Sequence, residues 1–61
     1  MMKVKIGDIV ETYADFFDSV RKVKVTEKRI MRVEHISSEL VCGSVSDGNI
    51  SVQPTQIVKI L

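Results

Sequence analysis

The tetrad Ser46-Asp47-Gly48-Asn49 separates two runs in which β-branched and polar residues alternate, and this arrangement commits the second half of the chain to a β-hairpin. If Asp47-Gly48 is a two-residue turn, where Gly supplies the positive φ, Val45 faces Ile50 and Gly43 faces Val52. Val41, Gly43, Val45, Ile50 and Val52 then share one face. The other face carries Cys42, Ser44, Ser51 and Gln53, so the first set points into the core and Cys42 points outward.

The preceding run ends at Ser37-Ser38-Glu39. A three-residue loop there sets Val33 beside Gly43, Met31 beside Val45 and His35 near Val41 on the inner face, with Arg32 and Glu34 outside. A loop over Thr26–Ile30 would let Val23 and Val25 pair with Val33 and Met31, and put Lys22, Lys24 and Arg32 on one outer face. Pro54 has no amide hydrogen, so Gln53-Pro54-Thr55-Gln56 reads as a one-turn break before a last strand, Ile57 to Leu61. Gly7-Asp8-Ile9-Val10 opens the first strand. In residues 13–20, Tyr13, Phe16, Phe17 and Val20 recur at helical spacing behind Thr12, which fits a short helix or an ordered loop.

The chain of 61 residues is one domain with a small core, which favours a homo-oligomer. Its single cysteine forms no internal disulfide and fits a reducing, cytoplasmic setting. No apolar run has the length of a signal peptide core or a membrane span, so a soluble protein without a membrane partner is expected. The net charge of +1 hides an uneven distribution. From Arg21 to Arg32, Arg21, Lys22, Lys24, Lys28, Arg29 and Arg32 stand against Glu27 alone, giving +5, while the rest of the chain sums to −4.

The opener Gly7-Asp8-Ile9-Val10, a long first loop, three strands joined by tight turns, then Pro54-Thr55-Gln56 and Ile57-Val58-Lys59-Ile60-Leu61, resembles the SH3-like small barrels. The resemblance covers nearly the whole chain and implies an all-β, five-stranded barrel with a one-turn 3₁₀ segment before the last strand. It implies little about function, since such barrels carry many unrelated activities. Small phage and prophage accessory proteins are similar in size and plan. Ser51-Val52-Gln53 also resembles part of the pore segment of plasmid-type dihydrofolate reductases, but Pro54-Thr55 stands where that family has isoleucine and tyrosine.

Catalytic chemistry finds few residues. The expected register puts His35 and Cys42 on opposite faces, and one His with one Cys is too few for a metal site, so no cofactor or metal is expected. Asp15 and Asp18 flank Phe16-Phe17 with nothing nearby to raise either pKa. Gly43 and Gly48 are isolated and belong to no phosphate-binding motif. Two binding features remain. Tyr13, Phe16 and Phe17 can either complete a core that lacks Trp or anchor a protein partner or second copy. The basic segment, with Lys24 and Arg32 expected opposite each other, can either be a solvated face or track a nucleic-acid backbone while the aromatic residues stack on bases. The sequence therefore points to a non-enzymatic, self-associating module that binds a protein, with nucleic-acid binding as the alternative.

Overall fold

A computed structural model describes residues 3–61 of the chain. Five strands run in the order β1 (Ile9–Asp18), β2 (Val23–Ile36), β3 (Val41–Val45), β4 (Gly48–Val52) and β5 (Ile57–Ile60), with a 3₁₀ turn over Pro54–Gln56. They form one antiparallel sheet ordered β4-β3-β2-β1-β5. Successive strands are neighbours, and β5 returns to the far side of β1. The all-β expectation and the 3₁₀ turn before the last strand are both met. The sheet curls until β4 contacts β1 across its concave face, but it does not close: β4 and β5 remain edges, in contrast to a closed barrel.

Of residues 13–20, expected as a short helix or an ordered loop, 13–18 are strand and only Ser19 and Val20 lie in a turn. Tyr13 to Asp18 continue β1 and pair one for one with β2, from Tyr13↔Lys28 to Asp18↔Val23. The helical spacing of the aromatic residues loses to a partner strand that supplies a hydrogen-bonded neighbour for every residue. The reversal falls later, over residues 19–22. There the Asp18 carboxylate accepts the amides of Val20 and Arg21 at 3.0 and 3.1 Å, and Lys22 takes φ 57°. Residues 26–30, expected as a loop, lie in the middle of the 14-residue β2. Val23 and Val25 accordingly pair with Asp18 and Phe16, not with Val33 and Met31.

The β3–β4 hairpin turns on Ser46-Asp47 and not on Asp47-Gly48. Val45 pairs with Gly48 and Gly43 with Ile50, two residues out of the expected register. A slip of two preserves the face of every side chain, so the expected inner set is correct although its pairing is not. Gly48, at φ 151°, starts β4 in a conformation suited to glycine. Between β2 and β3, Val33↔Gly43 is as expected. The register then shifts at Glu34, so that His35 pairs with Cys42 and Ile36 with Val41. This bulge moves His35 off the inner face, and it is exposed.

The core lies on the concave face. Val10, Ala14, Met31, Val33, Val41, Val52 and Ile57 are buried, and Val4, Val45 and Ile50 pack against them. Full burial of a side chain of this size contributes roughly 1.5–3 kcal/mol. Among the described residues Thr12 is the buried polar one, and its hydroxyl donates to the carbonyl of Gln56 at 3.1 Å, tying the 3₁₀ turn to β1. The N-terminal segment is clamped to β2 by Gly7 N–H to Val33 O and Val33 N–H to Asp8 O, each 2.8 Å.

Candidate interaction surface

The ladder lengths define the most unusual feature of the molecule. β5 pairs with β1 only over Val10–Thr12, and β3 pairs with β2 over Arg32–Ile36. Above these positions Tyr13–Asp18 and Val23–Lys28 pair only with each other among the described residues, with Arg29 and Ile30 at the base opposite Thr12 and Glu11. They form a two-stranded ribbon that overhangs the sheet and gives the molecule its 35 × 22 × 19 Å extents. Such a ribbon has bare backbone donors and acceptors along both outer edges.

Pairing and burial assign its two faces. The outer face carries Tyr13, Asp15 and Phe17 from β1 beside Lys24, Thr26, Lys28 and Ile30 from β2. The inner face carries Ala14 and Phe16 beside Val23, Val25, Glu27 and Arg29. The three aromatic candidates thus share one strand but not one face: Tyr13 and Phe17 look outward and Phe16 inward. All are exposed, Tyr13 and Phe16 at 43% and Phe17 at 65%. Ile30, at 52%, joins the outer patch.

The basic residues are dispersed. Lys24 and Arg32 are not opposite each other; they lie eight residues apart on β2, about 26 Å of strand. Arg21 and Lys22 sit in the tip turn. Arg29 is on the inner face, where its guanidinium bridges Glu27 at 3.2 Å and Asp47 of the β3–β4 turn. Lys24 and Lys28 share the outer face and are paired with acids of β1, Lys24 with Asp15 at 3.7 Å and Lys28 with Glu11 at 3.4 Å. Lys28 also lies over the Tyr13 ring, 5.6 Å from its centre. Arg21 is held by Asp18 at 2.8 Å. Of the six, Lys22 and Arg32 make no ion pair among the described residues.

These contacts set the charge states. The Thr26 hydroxyl, 2.6 Å away, and then Lys24 hold the Asp15 carboxyl below its ordinary range. Arg21 does the same for Asp18, and Arg29 for Asp47, which in turn raises Arg29. All three carboxylates are therefore firmly ionised at neutral pH.

On the outer face at the other end of the sheet, the bulge brings His35 opposite Cys42, whose thiol is 3.2 Å from the Ser51 hydroxyl. The expected separation of His35 and Cys42 on opposite faces is thereby corrected. Among the described residues His35 makes no side-chain hydrogen bond, and no three His, Cys, Asp or Glu residues gather to hold a metal. Two clefts flank the sheet. One of about 380 Å³ lies under the Arg29–Asp47 bridge, and one of about 610 Å³ has a floor of Val4, Ile36, Val41 and Ile57. Among the described residues no helix is long and apolar enough to cross a membrane.

Sequence reasoning found the aromatic residues but missed Ile30, Val23 and the ribbon that displays them. A readable signal was there: from Val23 to Ile36 the chain has no Gly, Pro, Asn, Asp or Ser, hence no residue that favours a turn. Comparison with protein-family models, curated proteins and solved structures finds no match to this chain.

Proposed function

We propose that this protein is a non-enzymatic interaction module whose β1–β2 ribbon receives a protein partner and supports self-association. One observation carries the reading: Tyr13 and Phe17 are exposed together on a ribbon whose edges are unpaired among the described residues, with Ile30 exposed on the same face at its base. An added strand would find backbone hydrogen bonds along the edge and apolar side chains beside it. Kinship with the SH3-like small barrels belongs to this proposal. The strand order β4-β3-β2-β1-β5 and the 3₁₀ turn before β5 support it. The test is a comparison of wild type with Tyr13→Ser/Phe17→Ser as immobilised bait. Both side chains are exposed, so the variant is expected to stay folded. A partner retained by wild type and lost by the variant supports the reading; equal retention counts against it.

A second reading, nucleic-acid binding, is favoured by the placement of Lys24 and Lys28 on the same face as Tyr13 and Phe17. That combination of cations and aromatic rings suits an unpaired strand. The ion pairs of both lysines to β1 argue against it. Titration with short oligonucleotides decides: binding at low salt, with a salt slope that falls on replacing Lys24 and Arg32, would install this reading in place of the first.

A further inference from the structure

An aspartate can react with its own backbone, because the amide nitrogen of the next residue lies within reach of the side-chain carboxyl carbon. The reaction needs a small successor and a segment that can bend, and glycine meets both needs best. The chain has four aspartates and one asparagine. Asp8, Asp15 and Asn49 precede Ile9, Phe16 and Ile50, whose bulk crowds the nitrogen. Asp18 precedes the smaller Ser19, but its carboxylate already accepts the amides of Val20 and Arg21 and the Arg21 guanidinium. Asp47 precedes Gly48, where even an added Cβ would meet nothing within 4 Å. It stands in the two-residue turn between β3 and β4 with its side chain 74% exposed. Among the described residues one side chain holds it, the guanidinium of Arg29.

We propose that Asp47-Gly48 is a site of spontaneous isoaspartate formation and that Arg29 is its brake. The Gly48 nitrogen attacks the Asp47 carboxyl carbon and a C–N bond forms. The bond from that carbon to the acid's hydroxyl breaks, and the hydroxyl leaves with the amide proton as water. The product is a five-membered succinimide. Water then opens the ring: addition at the side-chain carbonyl restores aspartate, and addition at the main-chain carbonyl leaves the chain running through Cγ as isoaspartate. Water and the chain itself are the only reactants.

Two contacts restrain the first step. The neutral acid is the reactive form, since a carboxylate has no hydroxyl to release, and Arg29 keeps Asp47 ionised. The same ion pair holds in place a side chain that must rotate for attack. The second restraint is the hairpin, because Gly48 pairs with Val45 and its nitrogen becomes free only as the turn frays. β4 is an edge strand held by β3 alone, so this opening is local and does not require the whole sheet to unfold. Isomerisation adds one carbon to the backbone of the turn and sets the carboxylate directly on Cα. The shortened side chain loses Arg29, and with it the tie between the β1–β2 ribbon and the β3–β4 turn.

The test follows isoaspartate during prolonged incubation at neutral pH in wild type, Arg29→Gln, Arg29→Lys and Glu27→Gln. Trypsin separates the candidates, placing Asp47 in Val33–Lys59 and Asp8, Asp15 and Asp18 in Ile6–Arg21. Electron-transfer fragmentation then identifies isoaspartate by cleavage of its Cα–Cβ bond. Isoaspartate is expected in Val33–Lys59 and not in Ile6–Arg21, and to form several-fold faster in Arg29→Gln. Arg29→Lys keeps a cation at the position and is expected to fall between the two. Glu27→Gln removes the other partner of Arg29 but leaves its contact with Asp47, and is expected to react no faster than wild type. No isoaspartate at Asp47 in native wild type, over a period in which the urea-unfolded chain forms it, overturns the site. Arg29→Gln no faster than wild type, or Glu27→Gln as fast as Arg29→Gln, overturns the brake.

Discussion

Gly43 faces Val33 across the β2–β3 ladder, and β2 leaves no room there for a side chain. A Cβ there would lie 2.0 Å from the Arg32 carbonyl oxygen and 2.8 Å from Cγ of Met31, so backbone as well as side chain would have to move. Gly43→Ala is expected to cost about 1–3 kcal/mol, the usual range for overpacking, measured as a lowered denaturant midpoint at unchanged slope. The sequence showed Gly43 on the inner face but not why it is glycine, because the close approach depends on how strongly the sheet curls. Asp47 gives the pH counterpart. Its folded-state pKa is depressed by Arg29, so its small contribution is present above the unfolded value, about 4, and is lost as pH falls through the folded one. Asp47→Asn is expected to be slightly less stable than wild type at pH 7 and equal to it near pH 2. Urea midpoints across that range check the convergence. That bridge was not legible in the sequence, since Arg29 and Asp47 lie eighteen residues apart and meet only because β2 runs on past the β3–β4 turn.

At the scale of elements, alternation of β-branched residues located β3, β4 and β5, and Pro54 located the 3₁₀ turn, because these features are local. β1 and β2 were harder, since nothing local says how far two strands pair. The reading of residues 13–20 as helix or loop and of 26–30 as a loop presupposed that all five strands were short. The ribbon exists because β2, with 14 residues, outlasts β3, with five. β2 should accordingly show two stabilities along its length. From Arg32 to Ile36 it lies between two paired neighbours or beside the core, whereas from Val23 to Ile30 it has β1 alone. An isolated two-stranded ribbon is marginal in water. Amide exchange in dilute solution is expected to be slow for Met31 and Val33 and fast for Val23–Lys28. Uniform protection along β2 would show that the ribbon edge is covered.

For the molecule as a whole, the small core and the bare ribbon are two sides of one problem. Among the described residues seven hydrophobic residues are buried, while Phe16, Phe17, Val20 and Val23 are exposed on the overhang and Ile30 at its base. A folded monomer of this kind leaves its largest side chains in water, and burying them against a second folded copy is a source of stability that unfolded chains do not share. Mass action then ties thermal stability to protein concentration. The midpoint of thermal unfolding is expected to rise by several degrees as the concentration increases from micromolar to millimolar. In Tyr13→Ser/Phe17→Ser it is expected to stay constant at the dilute wild-type value, because neither ring contributes to the monomer core. Calorimetric scans of both proteins over that range separate the two contributions. A concentration-independent midpoint in wild type means that copies do not stabilise one another and that a different chain must cover the ribbon. A variant that melts lower even when dilute means that these rings belong to the monomer's own packing.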